Sequence, residues 1–172
     1  MSDFEERTVG QSGAGALYAV REANAGDIQA LVELRIAFLT EDSGGLAPAE
    51  AQALRACLAD YFRRNIGRMC FAFLVEADGA PIAAAYLAVS EKPANRSFPT
   101  GRVGTLLNVY TVPAHRRRGL ATRLLTLLIE RAKAERLSRL ELLATASGKP
   151  LYEKMGFTET KYTHTPMVMR LS

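Results

Sequence analysis

Three strand-length apolar runs follow one another in the middle of the chain, and residues on both sides of them show helical periodicity. The runs cover residues 70–76, 82–89 and 102–112. Residues 77–80, Ala-Asp-Gly-Ala, join the first two runs, and an Asp-Gly pair at such a place is a strong β-hairpin signal. A polar loop with two prolines, residues 91–101, leads to the third run. The pattern therefore predicts three consecutive strands at the centre of a largely antiparallel sheet.

The flanking segments extend this centre into a mixed α/β (α+β) fold in which helices flank the sheet. Upstream, residues 17–22 alternate like a strand, and helices are expected over residues 27–40 and 48–65. Downstream, the periodicity predicts a helix over 120–137, a strand over 140–143, a short helix over 151–155 and a closing strand over 162–171. The predicted order is β-α-α-β-β-β-α-β-α-β.

Length and composition predict one globular domain. The chain has 172 residues, of which 48% are hydrophobic and 23% charged, and we place the domain at residues 17–172. Residues 1–16, which end in a small, Gly-rich stretch, are expected to form a flexible N-terminal segment. Residues 1–6 are acidic and lack the apolar stretch of a secretory signal, so a cytoplasmic protein is expected. No apolar run approaches the roughly 20 residues that span a bilayer, so we expect no membrane partner.

Positive charge is concentrated in one part of the sequence. Residues 113–140 contain eight Lys or Arg and two Glu, whereas the formal net charge of the whole chain is only +4. Within this part, three arginines at 116–118 precede Gly119 and the predicted helix. A helix start presents free N–H groups and the positive end of the helix dipole, and a glycine lets an anion approach the backbone closely. The segment is therefore predicted to bind a pyrophosphate.

Other sites that bind anions or metals fit the sequence less well. A basic run can also be a solvated loop or a nucleic-acid surface, but no aromatic residues alternate with these arginines and no nucleic-acid-binding motif accompanies them. The chain contains neither GxxxxGK[ST] nor GxGxxG, which excludes a P-loop and a Rossmann fingerprint. The two cysteines and two histidines are not clustered, so no metal site is expected.

Two motifs resemble a known family. Arg-Arg-Arg-Gly-Leu-Ala at residues 116–121 is similar to the R/Q-x-x-G-x-G/A acyl-CoA signature of the GNAT (GCN5-related N-acetyltransferase) family. A strand ending at Pro113 precedes it, as in that family. Further on, residues 150–157 (PLYEKMGF) resemble the family's LYEKxGF segment. The motifs occur in the family's order, and the resemblance covers roughly residues 17–171.

The resemblance implies an N-acetyltransferase that uses acetyl-CoA as co-substrate, with no metal. A primary amine would attack the thioester directly. The backbone of Val109, Tyr110 and Thr111 would line the pantetheine arm, and one of these amides would polarise the thioester carbonyl. Tyr152 would protonate the departing CoA thiolate, because a phenol with a pKa of about 10 is protonated at neutral pH. The residues implied to hold the pyrophosphate are Arg116, Arg117, Arg118, Gly119, Leu120, Ala121 and Thr122.

The remaining site residues are less fully specified. Many family members have a CoA-contacting Asn seven residues before the tyrosine, where this chain has Thr145, which is expected to hydrogen-bond with a shorter reach. Glu41 and Asp42 end the first predicted helix, in a loop that borders the acceptor site in the family. They are expected to bind a cationic amine or relay a proton, although a merely polar helix end is the other interpretation. Asn108 and Tyr110 alternate with Val109 and Thr111 along the strand, and one of the two, Asn108 or Tyr110, is expected to face the acceptor.

The sequence leaves the acceptor and the assembly open. The acceptor would be a small-molecule or peptide amine, and neither a nucleic acid nor a membrane is expected as a partner. Family members often dimerise, and a homodimer is compatible with this chain. The alternative to an enzyme is an acyl-CoA-binding sensor or regulatory domain of the same fold that has lost catalysis. The presence of Tyr152 favours the enzyme.

Overall fold

The computed structural model describes residues 7–9, 17–160 and 165–171, and internal packing divides it into two units, Met1–Leu142 and Leu143–Ser172. The first unit contains six strands: β1 (Arg7–Val9), β2 (Tyr18–Glu22), β3 (Cys70–Ala77), β4 (Ala80–Glu91), β5 (Arg102–Thr111) and β6 (Arg139–Glu141). Its three helices are α1 (Ile28–Asp42), α2 (Pro48–Asn65) and α3 (Leu120–Ala134). The second unit contains the short helix α4 (Lys149–Lys154).

The central hairpin forms where the sequence predicts it. Asp78 (φ +51°) and Gly79 (φ +81°) both adopt left-handed conformations, and Ala77 pairs with Ala80 across the turn. Two positive φ values in a two-residue loop match the twist of the flanking strands, which is why Asp-Gly is favoured there. The turn sets the register of β3 against β4, apart from a shift between Val75 and Glu76.

The six strands form one sheet in the order in which they occur along the chain. Neighbouring strands are antiparallel from β1 to β5, and only β5 and β6 are parallel. A parallel pair needs a crossover between its strands, and α3 lies in this one. The mixed, largely antiparallel sheet predicted from the sequence is thus confirmed.

Helices cover both faces of the sheet. On one face, α1 and α2 pack on the alternate residues Cys70, Ala72 and Leu74 of β3. The intervening residues point to the other face, where the guanidinium of Arg131 from α3 lies 4.7 Å from the ring centroid of Phe71. Since both faces are covered, β3 is an almost continuously apolar and buried strand.

Leucine side chains pack tightly around Gly104 of β5, which pairs with Leu140 of β6. A Cβ atom on Gly104 would lie 2.6 Å from Leu87, 2.7 Å from Leu140 and 2.8 Å from Leu137. A side chain at this position would therefore push these leucines apart.

The ends of the chain differ from the prediction. Within the expected flexible segment 1–16, Arg7–Val9 form β1 and pair with β2, and the rest lies outside the described residues. The predicted strand at 162–171 is wrong for its described part, because residues 165–171 form no strand and their large apolar side chains are exposed. The remainder of that prediction, up to residue 164, falls outside the described residues. Alternating apolar residues are a local signal, whereas a strand also needs a partner strand. Pro166 has no backbone N–H and therefore cannot make one of the hydrogen bonds to such a partner.

No helix in the described part of the chain is both long and apolar enough to cross a membrane.

We expect Tyr86→Phe to lower the free energy of unfolding by about 1 kcal/mol, because the Tyr86 hydroxyl donates a buried hydrogen bond of 2.6 Å to the carbonyl of Leu31 in α1. Urea unfolding of the wild-type and variant proteins measures the difference. An unchanged midpoint at equal slope would mean that this link between α1 and β4 contributes nothing to stability.

Candidate functional site

β5 is longer than its neighbour β6, so part of β5 forms an edge of the sheet on that side. The parallel pairing extends only from Val103 to Thr105 on β5 and from Arg139 to Glu141 on β6. β5 continues to Thr111, so its residues 106–111 have no strand on that side among the described residues. At 3.3 Å per residue, this open edge is about 20 Å long. It exposes backbone hydrogen-bonding groups to an extended ligand.

A β-bulge bends β5 along this open edge. The register with β4 shifts between Ala84, which pairs with Tyr110, and Tyr86, which pairs with Leu107. Asn108 and Val109 therefore face a single residue of β4, and Asn108 has a φ of +52°. Such a bulge bends the strand and increases its local twist.

The end of β5 directs its polar backbone groups toward the open edge. The amide of Val112 donates to the carbonyl of Ile82 over 2.9 Å, so residue 112 faces β4. In an antiparallel strand the direction alternates, and the N–H and C=O groups of Thr111 therefore face away from β4. The Thr111 carbonyl on this side accepts a 2.8 Å hydrogen bond from Nε of Arg116. The Thr111 N–H points to the same side and is free for a ligand.

The turn after β5 presents six consecutive amides without acceptors. A 3₁₀ turn, Pro113–His115, leads to residues 117–122, which we call the amide loop. None of the amide-loop N–H groups donates to an acceptor within the described part of the chain. Arg117 (φ +61°) and Gly119 (φ +75°) turn the backbone before α3 begins, and a Cβ on Gly119 would meet no atom within 4 Å. Free amides at a helix start, beside an open glycine, are groups that can bind an anion, and the pyrophosphate site stays a prediction.

The three arginines at 116–118 do not have the same surroundings. Arg118 lies over the ring of Tyr18, with its guanidinium carbon 5.9 Å from the centroid. Arg116 turns to the other side: besides Thr111 it reaches Glu41, with Nη2 2.6 Å from Oε2, and it lies 5.6 Å from the ring centroid of Tyr110. The side chain of Arg116 thus connects β5 to the end of α1, a link that the motif alone did not predict.

His115 connects the turn to strand β2. Its Nδ1 and the hydroxyl of Tyr18 on β2 are 3.0 Å apart, and the two rings meet edge to face. The sequence pattern gave His115 and Tyr18 no role, since nothing local connects residues so distant in the chain. Together they help to position the amide loop.

Asn108 is the least satisfied polar residue of the site. Its side chain is only 5% exposed, and neither its carboxamide oxygen nor its nitrogen has a hydrogen-bond partner among the described residues. Buried polar groups are normally paired, and an unpaired one destabilises the free protein. The carboxamide is therefore available to a ligand or a water molecule.

The acidic residues expected at the acceptor site lie at the end of α1. Glu41 and Asp42 are both exposed. The hydrogen bond from Arg116 lowers the pKa of the Glu41 carboxyl, so Glu41 is a carboxylate at neutral pH that already has a cationic partner.

The second unit contains the other predicted residues, Thr145 and Tyr152. Oγ1 of Thr145 accepts a 3.1 Å hydrogen bond from the amide of Gly148, the residue that directly precedes α4. The ring of Tyr152 packs edge to face on Phe157 at 6.0 Å. Burial raises the pKa of Tyr152, which keeps the phenol protonated.

No group of three His, Cys, Asp or Glu side chains within residues 7–9, 17–160 and 165–171 is arranged to hold a metal ion.

Comparisons with known proteins agree on one family. The family model "Acetyltransferase (GNAT) family" matches residues 28–157. A predicted acetyltransferase from Clostridium acetobutylicum, solved with acetyl-CoA, is 29% identical with a TM-score of 0.75, covering 87% of this chain and 96% of its own. A GCN5-related N-acetyltransferase from Ralstonia eutropha is 28% identical with a TM-score of 0.73, covering 87% and 98%.

A more distant structure shares the fold alone. Glucosamine-6-phosphate N-acetyltransferase from Arabidopsis thaliana is 16% identical with a TM-score of 0.65, and the match covers 87% of this chain and 97% of that one. No curated protein matches the sequence significantly.

We expect Asn108→Gly to change the free energy of unfolding by less than about 1 kcal/mol, although the side chain is buried. The substitution removes an unpaired carboxamide and suits the positive φ, and these gains offset the lost packing. Leu106→Ala is the control, because Leu106 is 4% exposed on the same strand and should cost about 2–5 kcal/mol. If Asn108→Gly destabilises the protein as strongly as the control, the carboxamide has a structural role.

Proposed function

Because the chain belongs to the GNAT family of acetyltransferases, we propose that it transfers the acetyl group of acetyl-CoA to a primary amine. The observation that carries this proposal is the amide loop beside the open edge of β5, both within the first unit. An anion site at one end of an exposed strand edge fits a molecule that has a pyrophosphate followed by a long amide-containing arm. This is the form of an acyl-CoA.

The described residues suit acetyl-CoA as co-substrate. The amide loop would hold the pyrophosphate, with Arg117 and Arg118 adding long-range attraction. The open edge of β5 at Val109, Tyr110 and Thr111 would hold the pantetheine arm by strand-like hydrogen bonds. In this arrangement Arg116 does not hold the pyrophosphate directly, since its side chain is engaged with Thr111 and Glu41 and its N–H donates to the carbonyl of Pro113. Thr145 is proposed as a further contact through its backbone or hydroxyl.

The proposed chemistry is direct transfer. The thioester supplies the acetyl group, a neutral amine forms the new C–N bond, and the C–S bond breaks. The free N–H of Thr111 would donate a hydrogen bond to the thioester oxygen as negative charge develops on it. Tyr152 would give its proton to the CoA sulfur, and the proton lost by the amine nitrogen would return through water to the Tyr152 phenolate, so that the products are the amide and the CoA thiol. The raised pKa of Tyr152 supports this role, because the phenol is protonated when the thiolate leaves.

The acceptor side is proposed to involve Asn108 and Asp42, whereas Glu41 is paired with Arg116. Asn108 has a donor and an acceptor without partners among the described residues, and Asp42 lies at the exposed end of α1. A carboxylate would attract a protonated amine from solution, and the amine would lose its proton before it reacts. The acceptor is then a small-molecule or peptide amine.

The central test is binding and turnover of acetyl-CoA by the purified protein. At 100 times its Kd, acetyl-CoA should stabilise the fold by about 2.7 kcal/mol, visible as a rise in Tm. Thiol release across a panel of amines then identifies the acceptor class. Binding without thiol release for any amine would favour the acyl-CoA sensor, and no change in Tm would refute both.

We expect Gly119→Glu to abolish acetyl-CoA binding, because the new side chain enters the open space beside the amide loop and repels a pyrophosphate. Gly67→Glu is a matched control: Gly67 has a φ of +72° against +75° for Gly119, and both have open space around the Cβ position. The two variants carry similar backbone strain, so only the first should lose the rise in Tm with acetyl-CoA. Retained binding in Gly119→Glu would place the pyrophosphate elsewhere.

We expect Tyr152→Phe to reduce kcat by at least about tenfold with little change in the Kd for acetyl-CoA, because only proton donation is lost. In the wild-type protein, ionisation of Tyr152 should not reduce the rate below about pH 10, since burial raises its pKa above that ordinary value. An unchanged kcat in the variant would remove Tyr152 from the mechanism.

A further inference from the structure

Arg116 is held at three points, although it stands in an exposed turn. Its Nε donates to the carbonyl of Thr111 over 2.8 Å, and its Nη2 donates to Oε2 of Glu41 over 2.6 Å. The guanidinium also lies 5.6 Å from the ring centroid of Tyr110. Hydrogen bonds fixed at both ends of a planar guanidinium leave the side chain little freedom.

The backbone of Arg116 is where the amide loop begins. Its N–H donates to the carbonyl of Pro113, which closes the 3₁₀ turn, and Arg117 then turns into the left-handed region at φ +61°. A non-glycine residue holds that conformation only when its surroundings fix it. Within the described part of the chain, Arg117 has no side-chain hydrogen bond of its own. The constraint on the turn therefore comes from its neighbours: His115 contacts Tyr18, and Arg116, which directly precedes Arg117, is held by side-chain hydrogen bonds to Thr111 and Glu41.

Glu41 is the partner of Arg116 that lies outside β5 and the turn. It comes from the last turn of α1, 75 residues away in sequence, and α1 is itself packed into the core through Leu31, Val32, Leu34 and Ile36. Tyr110, beneath the guanidinium, packs edge to face on Phe38 of the same helix. A rigid, buried helix is thus connected through one carboxylate to the start of the amide loop.

We propose that Glu41, acting through Arg116, is a positioning residue for the amide loop. Glu41 holds Arg116 in place, and Arg116 fixes the turn in which the free N–H groups converge on an anion. The inference rests on the proposed function in one respect, since it assigns to that loop the binding of acetyl-CoA. It differs from the expectation that Glu41 binds the acceptor amine, because a positioning role acts on the co-substrate instead.

The two roles of Glu41 predict different kinetic changes. If Glu41 positions the loop, Glu41→Gln should raise the Kd and KM for acetyl-CoA about fivefold, the scale of one charge-assisted hydrogen bond, with the acceptor KM unchanged. If Glu41 binds the amine, the acceptor KM should rise and acetyl-CoA binding should be unaffected. In the positioning role, Arg116→Gln should have at least as large an effect, and adding Glu41→Gln to it should cost nothing more.

Glu33→Gln is the matched control. Glu33 lies on the same helix and also pairs with an arginine, Arg55 of α2, at 3.0 Å. Loss of that pair removes a similar surface interaction without touching the turn, so acetyl-CoA binding should stay at the wild-type value. Comparing the Tm of both variants without ligand separates a loss of stability from a loss of loop order.

A measurement without ligand completes the test. ¹⁵N relaxation of the free proteins gives order parameters for the amides of residues 117–119. We expect values near 0.85 in the wild-type protein and in Glu33→Gln, and a fall toward 0.6 in Glu41→Gln. Unchanged order parameters in Glu41→Gln would overturn the inference whether or not acetyl-CoA binds. If the wild-type protein binds acetyl-CoA, an unchanged Kd in Glu41→Gln would overturn it as well. Failure of the wild-type protein to bind acetyl-CoA would instead count against the proposed function.

Discussion

The separation of β5 from β6 is the constraint on which the site depends. The two strands pair over three residues, and the bulge at Asn108 and Val109 bends β5 beyond that pairing. A sheet edge inside a globular domain would normally be a liability, because unpaired backbone groups attract other strands. Here the open edge is followed along the chain by a loop of free amides. This succession is the basis for proposing that the protein binds a long, partly anionic molecule.

The positive charge near this surface is divided between two tasks. Arg117 and Arg118 remain available to a phosphate, whereas Arg116 is neutralised by Glu41 and connects the loop to α1. The basic run in the sequence therefore overstates the positive charge that is free of an acidic partner at this turn. In the proposed site, Arg116 would contribute through rigidity, and the neutral amides would supply most of the directed hydrogen bonds.

The sequence predicted those features that depend on neighbouring residues. Asp78-Gly79 specified the hairpin, Pro48 marked the start of α2, and the residues around Gly119 indicated an anion site at a helix start. Features that join distant segments could not be predicted in this way. The bulge depends on the pairing of β5 with β4. The anchor of Arg116 depends on a residue of α1, and the hydrogen bond between His115 and Tyr18 depends on the packing of β2. The closing strand was mispredicted for the same reason, since alternation along 165–171 does not supply a partner strand.

Gly104 gives the open edge a dependence on a residue that lies away from it. Because a Cβ atom there would overlap side-chain atoms of three leucines, the absence of a side chain leaves room for Leu87, Leu137 and Leu140 beside β5. Leu140 belongs to β6, so a larger residue at position 104 would shift β6 against β5 just before their pairing ends. The geometry of the open edge therefore depends on apolar packing at a position outside the edge itself.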